Sequence, residues 1–312
     1  MRTRPSRAAI ISFILLFSIA WMETPAAGGS TRVIDGSFSH AGRTRQYRLV
    51  IPPAYDGKTA LPLVMVFHGG GGNARRAEQT TGFSQKAIRE GFFVVYPEGV
   101  GRLPTRHKLL TWNTGNCCGY AKEINSDDVG FVRKLLVTLK QDYRIDAKRV
   151  FATGISNGGM MAYRLGCEMA GEIAAVAPVA GAMNVSTCGP GAPVSVIVFH
   201  GVRDNRVLYS GGAPRVQIDP HPRVDRPVSY AASFWAAHNG CDAQPQRLEQ
   251  GMILHETYTS CRPGVGLEVY TLKNGRHAWP GGQRAWVGGD EPSREISATD
   301  LMWDFFRRHP RP

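Results

Sequence analysis

The sequence has little that would divide it into separate parts. Along its 312 residues it carries no internal repeat, no linker rich in serine and threonine, and no appended module. Hydrophobic residues make up 43% and charged residues 20%, a composition typical of a globular protein with one large core. We therefore predict that residues 28–312 form a single domain.

A hydrophobic run long enough to cross a membrane is also missing. The apolar run from Ala8 to Trp21 covers about 14 residues, whereas a membrane-spanning helix needs roughly 20. Three arginines precede this run and small residues follow it, which is the pattern of a secretory signal peptide. We predict that residues 1–27 are a signal peptide. The mature protein is then expected to be extracellular or periplasmic, with no stable membrane span.

The charge is unbalanced but not clustered. Lysine and arginine number 37 against 25 aspartate and glutamate residues, for a net charge of +12. The basic residues form no helical stripe and no long run, so we predict no nucleic-acid partner. A solvated basic surface is the simpler interpretation, and attraction to acidic polymers or cell-wall material stays open.

The stretch most informative about chemistry is residues 149–161. Residues 150–152 are predicted as a short buried strand, residues 154–158 match G-x-S-x-G around Ser156, and a helix-compatible run follows. A strand, a sharp turn and a helix are the context of a nucleophile elbow, in which the turn holds the serine hydroxyl clear of the backbone. A glycine-rich turn whose serine only caps the helix would share this short motif.

Predicted strands and helices alternate along most of the chain. Two antiparallel strands come first, and the buried strands that follow are predicted at 61–67, 92–97, 150–152, 173–179, 194–199 and 268–272. Continuous apolar strands of this kind are typical of a parallel sheet covered on both faces. The alternation predicts an α/β protein of the α/β-hydrolase fold. We expect a doubly wound, mostly parallel sheet with an antiparallel N-terminal edge and functional loops at the carboxyl ends of its strands.

A serine that transfers acyl groups needs a base and a group that orients the base. Asp204 follows one predicted core strand and His277 follows the last, so the chain has the order serine, acid, histidine of α/β-hydrolases. We predict that His277 takes the proton of Ser156 and that Asp204 holds the imidazole. Asp127 and Asp128 are alternative acids, but they precede the serine and are placed to begin a helix.

A run of four glycines directly after the strand 61–67 predicts a second part of the site. Bare backbone N–H groups in such a loop can approach a ligand closely, so Gly70 or Gly71 is expected to donate to an oxyanion together with Asn157. A flexible glycine loop is the alternative interpretation.

Metal chemistry is not indicated. His68, His200, Asp204 and His277 would be the candidate ligands, but the sequence has neither H-E-x-x-H spacing nor a cysteine–histidine pattern. We predict no metal and no other cofactor. Because glycine follows His68 and His200 directly, we expect each of them to shape its loop by bonding to the backbone.

Several further motifs occur in a fixed order. They are His-Gly-Gly-Gly at 68–71, Trp-Asn through Cys-Cys-Gly at 112–119, Asp-Asp-Val-Gly-Phe at 127–131, the serine motif at 154–160, and Gly-Arg-His-Ala-Trp-Pro-Gly-Gly at 275–282. Over roughly residues 30–308 the chain resembles the secreted polyhydroxybutyrate depolymerase and feruloyl esterase group of α/β-hydrolases, bacterial lipoprotein-like esterases included. The resemblance implies a serine carboxylesterase that forms an acyl-enzyme on Ser156.

The substrate implied is a polyester oligomer, or a hydroxycinnamoyl or acetyl ester of a polysaccharide. Trp112 and Trp279 are predicted to form aromatic walls for it, with burial in the core as the alternative for both. Because no second module is present, we expect soluble esters to be hydrolysed faster than a crystalline polyester. A non-catalytic binding protein, which usually lacks a triad member, and a serine peptidase of the same fold are the alternatives.

Six cysteines in an exported chain indicate disulfides. Cys241 and Cys261 flank one compact segment bounded by turn residues, so we predict that they pair. Cys188 is predicted to pair with one member of the 117–118 pair and not with Cys167. The helix after the serine would place Cys167 roughly 15 Å below the active edge, whereas a disulfide tolerates only about 7 Å between Cα atoms.

Overall fold

The computed structural model describes Met1 and residues 30–103, 108–216 and 221–312. All but the first residue of the predicted signal peptide lies outside these ranges. Within them, no helix is long and apolar enough to cross a membrane.

A ten-stranded sheet forms the centre of the described structure. Its strands are β1 (Arg32–His40), β2 (Arg43–Ile51), β3 (Leu61–Phe67), β4 (Phe93–Pro97), β5 (Ile145–Ile155), β6 (Ala175–Val179), β7 (Ser195–Gly201), β8 (Gln246–Gln250), β9 (Ile253–Tyr258) and β10 (Leu267–Leu272). They lie in the order β1-β2-β4-β3-β5-β6-β7-β10-β9-β8. The six central strands are parallel, so their carboxyl ends meet at one edge, which we call the catalytic edge.

Helices cover both faces of the sheet. They are α1 (Ala74–Thr81), α2 (Phe83–Glu90), α3 (Gly119–Glu123), α4 (Asp128–Asp142), α5 (Asn157–Glu168), α6 (Val228–Asn239) and α7 (Ala298–Arg308). The core on one face contains apolar residues of α4, α5 and α6, and the core on the other contains those of α1, α2 and α7. Two covered faces explain why most residues of the central strands are buried.

The predicted fold class is confirmed, and the sheet has one feature that the sequence analysis missed. β1 and β2 form the expected antiparallel N-terminal edge, but β8 and β9 add an antiparallel hairpin at the other edge. Every residue of β8 is exposed, so this strand lacks the apolar pattern that identified the central strands. In the sequence, Gly251 marks the turn between β8 and β9, and in the structure its φ is 58°.

The predicted pairing of Cys188 is wrong, whereas Cys241 and Cys261 are joined as predicted. Cys188 bonds to Cys167 across a Cα–Cα distance of 5.0 Å, and Cys117 bonds to its neighbour Cys118. The prediction failed because it kept Cys188 at the catalytic edge. The chain after β6 descends without a helix to reach the start of β7, and Cys188 lies on this descent, where it meets the far end of α5.

Candidate active site

Ser156 occupies the single residue between β5 and α5. Its backbone has φ 59° and ψ −122°, a conformation that non-glycine residues rarely adopt. Two backbone bonds hold it there: Ser156 N–H donates to Val179 O at 2.9 Å, and Ser156 O accepts from Met160 N–H at 2.9 Å. Strained residues that are held in place by their surroundings occur frequently at functional sites.

The glycines beside Ser156 are required by close packing. A Cβ on Gly158 would lie 2.2 Å from Phe67 O, and a Cβ on Gly154 would lie 2.6 Å from the same atom. The start of α5 therefore lies directly against the end of β3. This contact brings the serine next to the glycine loop that follows β3.

Asp204 and His277 meet at the catalytic edge, where Asp204 follows β7 and His277 follows β10. His277 Nδ1 donates to Asp204 Oδ2 at 2.7 Å, and both side chains are buried. Asp204 Oδ1 accepts the backbone N–H groups of Arg206 and Val207 at 2.8 and 2.9 Å. One carboxylate oxygen is thus fixed by the backbone while the other faces the imidazole.

Burial alone would raise the pKa of Asp204, but the charge and hydrogen bond of His277 outweigh it and hold the pKa below its ordinary value. Asp204 is therefore ionised at neutral pH and can only accept hydrogen bonds. This places the proton of the imidazole on Nδ1 and leaves Nε2 able to act as a base.

The two alternative acids are engaged elsewhere. Asp127 caps α4 by accepting from Gly130 N–H at 2.9 Å, as expected of a residue that begins a helix. Asp128 is fully buried and forms an ion pair with Arg45 at 2.7 Å. Neither carboxylate contacts His277 in the described residues.

The glycine loop lies against the serine turn. A Cβ on Gly69 would be 3.5 Å from Ser156 Cβ, and a Cβ on Gly70 would be 3.7 Å from Asn157 Cβ. Gly71 N–H donates to Leu110 O at 2.8 Å, so it is already used. Gly70 N–H and Asn157 N–H, which has no acceptor within its helix, remain the candidate oxyanion donors.

His68 and His200 bond to the backbone, as predicted. His68 Nδ1 donates to Gly69 O at 2.8 Å, and His68 Nε2 accepts from Gly99 N–H at 3.0 Å. His200 Nε2 lies 2.8 Å from Val207 O. Burial lowers the pKa of His68 to about 4 and also lowers that of His200, so both rings are neutral at pH 7. Among the described residues, no group of three side chains is arranged to hold a metal ion.

Trp112 and Trp279 do not form aromatic walls, and that prediction is wrong. Both side chains are completely buried. The indole of Trp112 donates to His68 O at 3.0 Å, and that of Trp279 donates to Thr299 Oγ1 at 3.0 Å. Because each N–H finds its partner inside the protein, both rings belong to the core.

The tryptophan that the sequence analysis missed is Trp286. It is 39% exposed and lies on the loop that follows His277. Arg206, two residues after Asp204, places its guanidinium carbon 4.8 Å from the centre of the Trp286 ring. The glycines at 281–282 and 288–289 were the available signal, since they indicate a surface loop.

Exposed apolar side chains occur on several loops of the catalytic edge. They are Leu103, Leu109, Val202, Val216, Val224, Trp286 and Val287. Two of them, Val216 and Val224, lie in the segment between β7 and α6. The catalytic edge therefore presents apolar as well as basic groups around the candidate site.

Comparisons with known proteins agree with this geometry. A family described as Esterase PHB depolymerase matches residues 45–216. Feruloyl esterase B of Piromyces equi is 30% identical over 78% of the chain, which spans only 44% of that protein. The putative esterase NocK of Nocardia uniformis is 31% identical, with 85% of this chain and 80% of NocK covered. Acetyl xylan esterase from Aspergillus awamori shares the fold, with a TM-score of 0.58 at 14% identity over 90% of this chain and 100% of that one.

Proposed function

The chain belongs to the polyhydroxybutyrate depolymerase family of esterases, and from this premise we propose that it hydrolyses carboxylic esters through an acyl-enzyme on Ser156. The observation that carries the proposal is the 2.7 Å bond between His277 and an ionised Asp204. This pair lies at the same sheet edge as the strained serine. The family match covers the serine and the acid but ends before the histidine.

In the first half of the reaction Ser156 Oγ attacks the ester carbonyl while its proton passes to His277 Nε2. The carbonyl oxygen becomes negatively charged and accepts hydrogen bonds from Gly70 N–H and Asn157 N–H. The intermediate then collapses, and the alcohol leaves with the proton that His277 returns. The acyl group remains on Ser156.

In the second half a water molecule takes the place of the alcohol. His277 removes its proton as it attacks the acyl carbonyl, and the same two N–H groups stabilise the second oxyanion. Collapse releases the carboxylic acid and returns the proton to Ser156. Throughout, Asp204 keeps the imidazole in its Nδ1–H form and stabilises the imidazolium that appears in each half.

The substrate class we propose is a hydroxycinnamoyl or acetyl ester of a polysaccharide, with polyester oligomers as the second class. Support comes from the relative named as a feruloyl esterase and from the family description, which names a polyester. Trp286 is an exposed aromatic ring near the triad acid on which an aryl or sugar ring could stack.

We also propose that the protein acts outside the cytoplasm. The three disulfides support this location, because disulfides persist in oxidising compartments. The predicted signal peptide also supports a location outside the cytoplasm.

The test is a panel of purified substrates: methyl ferulate, acetylated xylan, hydroxybutyrate oligomers and 4-nitrophenyl acetate, with a peptide amide as the control for a peptidase. We expect hydrolysis of the soluble esters and none of the amide. The Ser156→Ala variant should retain less than about a thousandth of the wild-type kcat. Failure of the wild type to cleave any ester, or full activity of the variant, would contradict the proposal.

A further inference from the structure

Trp112 contacts both halves of the candidate oxyanion hole. We propose that it is a positioning residue, which holds the loop carrying Gly70 at a fixed distance from Asn157. The inference rests on the proposed function, because it assigns a role within that reaction. Trp112 is completely buried and lies in the loop between β4 and α3.

Its first set of contacts is with the serine turn. Trp112 N–H donates to Asn157 Oδ1 at 2.7 Å, and Trp112 O accepts from Asn157 Nδ2 at 3.0 Å. Both polar groups of the Asn157 side chain are therefore bound to the main chain of one residue. The side chain of Asn157 serves as an anchor, while its own N–H remains the oxyanion donor.

Its second set of contacts is with the glycine loop. The indole N–H donates to His68 O at 3.0 Å, and the indole ring lies 5.0 Å from the imidazole of His68 and 5.2 Å from the ring of Phe67. The carbonyl at the start of the loop is thus fixed, together with the side chain of the same residue.

Fixing His68 also orients the N–H of Gly70. His68 Nδ1 and Gly72 N–H both donate to Gly69 O, at 2.8 and 3.0 Å. Gly69 O and Gly70 N–H belong to one planar trans peptide, so they point in opposite directions. When Gly69 O is held on the loop side, Gly70 N–H must face the other way.

The loop that carries Trp112 is itself anchored. Asn113 N–H donates to Asp128 Oδ2 at 2.7 Å, and Asp128 is paired with Arg45, which is also buried. Thr111 exchanges two backbone bonds with Val100, at 2.9 and 3.0 Å. Trp112 therefore joins the two donors through a rigid support.

Such a support matters because oxyanion donors act only within a narrow range of distances. They need to lie about 2.7–3.1 Å from the developing charge, and loss of one donor lowers kcat by roughly 100- to 1,000-fold. A displacement of about 1 Å can cost on the order of 100-fold. Loosening one loop without removing a donor should produce a smaller but kcat-selective loss.

The test is Trp112→Phe, which removes the indole N–H and keeps an aromatic ring. With 4-nitrophenyl acetate we expect kcat to fall roughly 10- to 100-fold while KM stays within about 3-fold. The inhibition constant of a boronic acid, which forms a tetrahedral adduct on Ser156, should rise by a similar factor, because the adduct needs the same donors.

Trp303→Phe is the matched control. Trp303 is also buried, and its indole N–H donates to Glu90 Oε2 at 3.0 Å, away from the catalytic edge. Each variant loses one indole N–H bond, to a backbone carbonyl in Trp112→Phe and to a carboxylate in Trp303→Phe, and urea unfolding measures the loss of stability in each. Only the Trp112 variant should lose kcat. A kcat for Trp112→Phe within 2-fold of that for Trp303→Phe would overturn the inference.

If Trp112→Phe does not fold, 3-benzothienylalanine at position 112 keeps the shape of the indole and replaces N–H by sulfur. The same selective loss of kcat is expected, and unchanged kcat overturns the inference. A wild-type protein that cleaves no ester would contradict the proposed function itself. Wild-type activity with unchanged kcat in the position-112 variants would contradict only the role of Trp112.

Discussion

His68 and His277 are two buried histidines at the same edge of one sheet, and their partners give them different chemistry. His68 is bonded on both ring nitrogens to backbone groups, and burial keeps its pKa near 4. His277 instead donates to the ionised carboxylate of Asp204, which can stabilise a positive imidazole. The comparison shows that a position after a strand does not by itself equip a histidine to act as a base. The group to which its Nδ1 atom is bonded decides this.

Asp204→Asn should produce the largest effect, because it abolishes the difference between the two histidines. The amide oxygen can still accept from Arg206 and Val207, so we expect the fold to persist. The amide nitrogen would donate to His277 Nδ1 and move the ring proton to Nε2, where it blocks the base. We expect kcat to fall by about 10,000-fold.

Urea unfolding of the same variant checks that the loss is catalytic. Asp127→Asn is the control, since Asp127 caps α4 and does not contact His277. It should lose about 1 kcal/mol of stability and little activity. If Asp127→Asn lost most of the activity and Asp204→Asn lost little, the assignment of Asp204 as the acid would be wrong.

His68→Ala tests the structural side of the comparison. Removing the ring leaves the buried N–H of Gly99 without its acceptor and opens a cavity beside Trp112. We expect the free energy of unfolding to fall by about 2–4 kcal/mol. The loss of kcat should be at least 10-fold smaller than in Asp204→Asn, since the base and its orienting acid remain. An equal loss of kcat in His68→Ala and Asp204→Asn would contradict the structural role of His68.

The low pKa of His68 also predicts a dependence of stability on pH. Below about pH 6.5 the unfolded chain protonates this histidine, while the folded protein keeps it neutral until about pH 4. The contribution of neutral His68 to the free energy of unfolding is fully present above about pH 6.5 and is lost as the pH falls to about 4. The loss amounts to about 3 kcal/mol at most.

Urea unfolding at several pH values between 7 and 4 measures this loss. His200 also has a lowered pKa and acts in the same direction, so the comparison must be made with His68→Ala. The variant should lose less stability than the wild type over that range. Identical slopes would show that His68 does not titrate as described.

Trp286→Ala should have the smallest effect. If this ring stacks on substrate, KM for methyl ferulate should rise roughly 3- to 10-fold, while KM for 4-nitrophenyl acetate changes less. Val287→Ala, at the exposed neighbouring position, is the control and should leave both values unchanged. A uniform rise for both esters in the Trp286 variant would argue against stacking on the acyl ring.

Much of this arrangement could be predicted because it follows from strand order. Ser156, Asp204 and His277 each follow a strand whose last residues are mostly buried, and parallel strands bring such residues to one edge. The contact between Asp204 and His277 was therefore accessible from the sequence. So was the bonding of His68 and His200 to the backbone, because glycine follows each of them.

The role of Trp112 was not accessible, because a buried and an exposed tryptophan look alike in a sequence. The residues to which it is hydrogen-bonded lie 44 and 45 positions away, at His68 and Asn157. The path of Cys188 was missed for a related reason. No pattern marks where an irregular crossover descends, whereas helices and strands have a period that can be recognised.

The most direct test of the account is covalent labelling of the intact protein with a fluorophosphonate ester. The account predicts one adduct per chain, located by peptide mass spectrometry on Ser156, formed rapidly in the wild type and much more slowly in Asp204→Asn. Labelling at another residue, or an equal rate in both proteins, would contradict a nucleophile at Ser156 that is activated by His277 and Asp204.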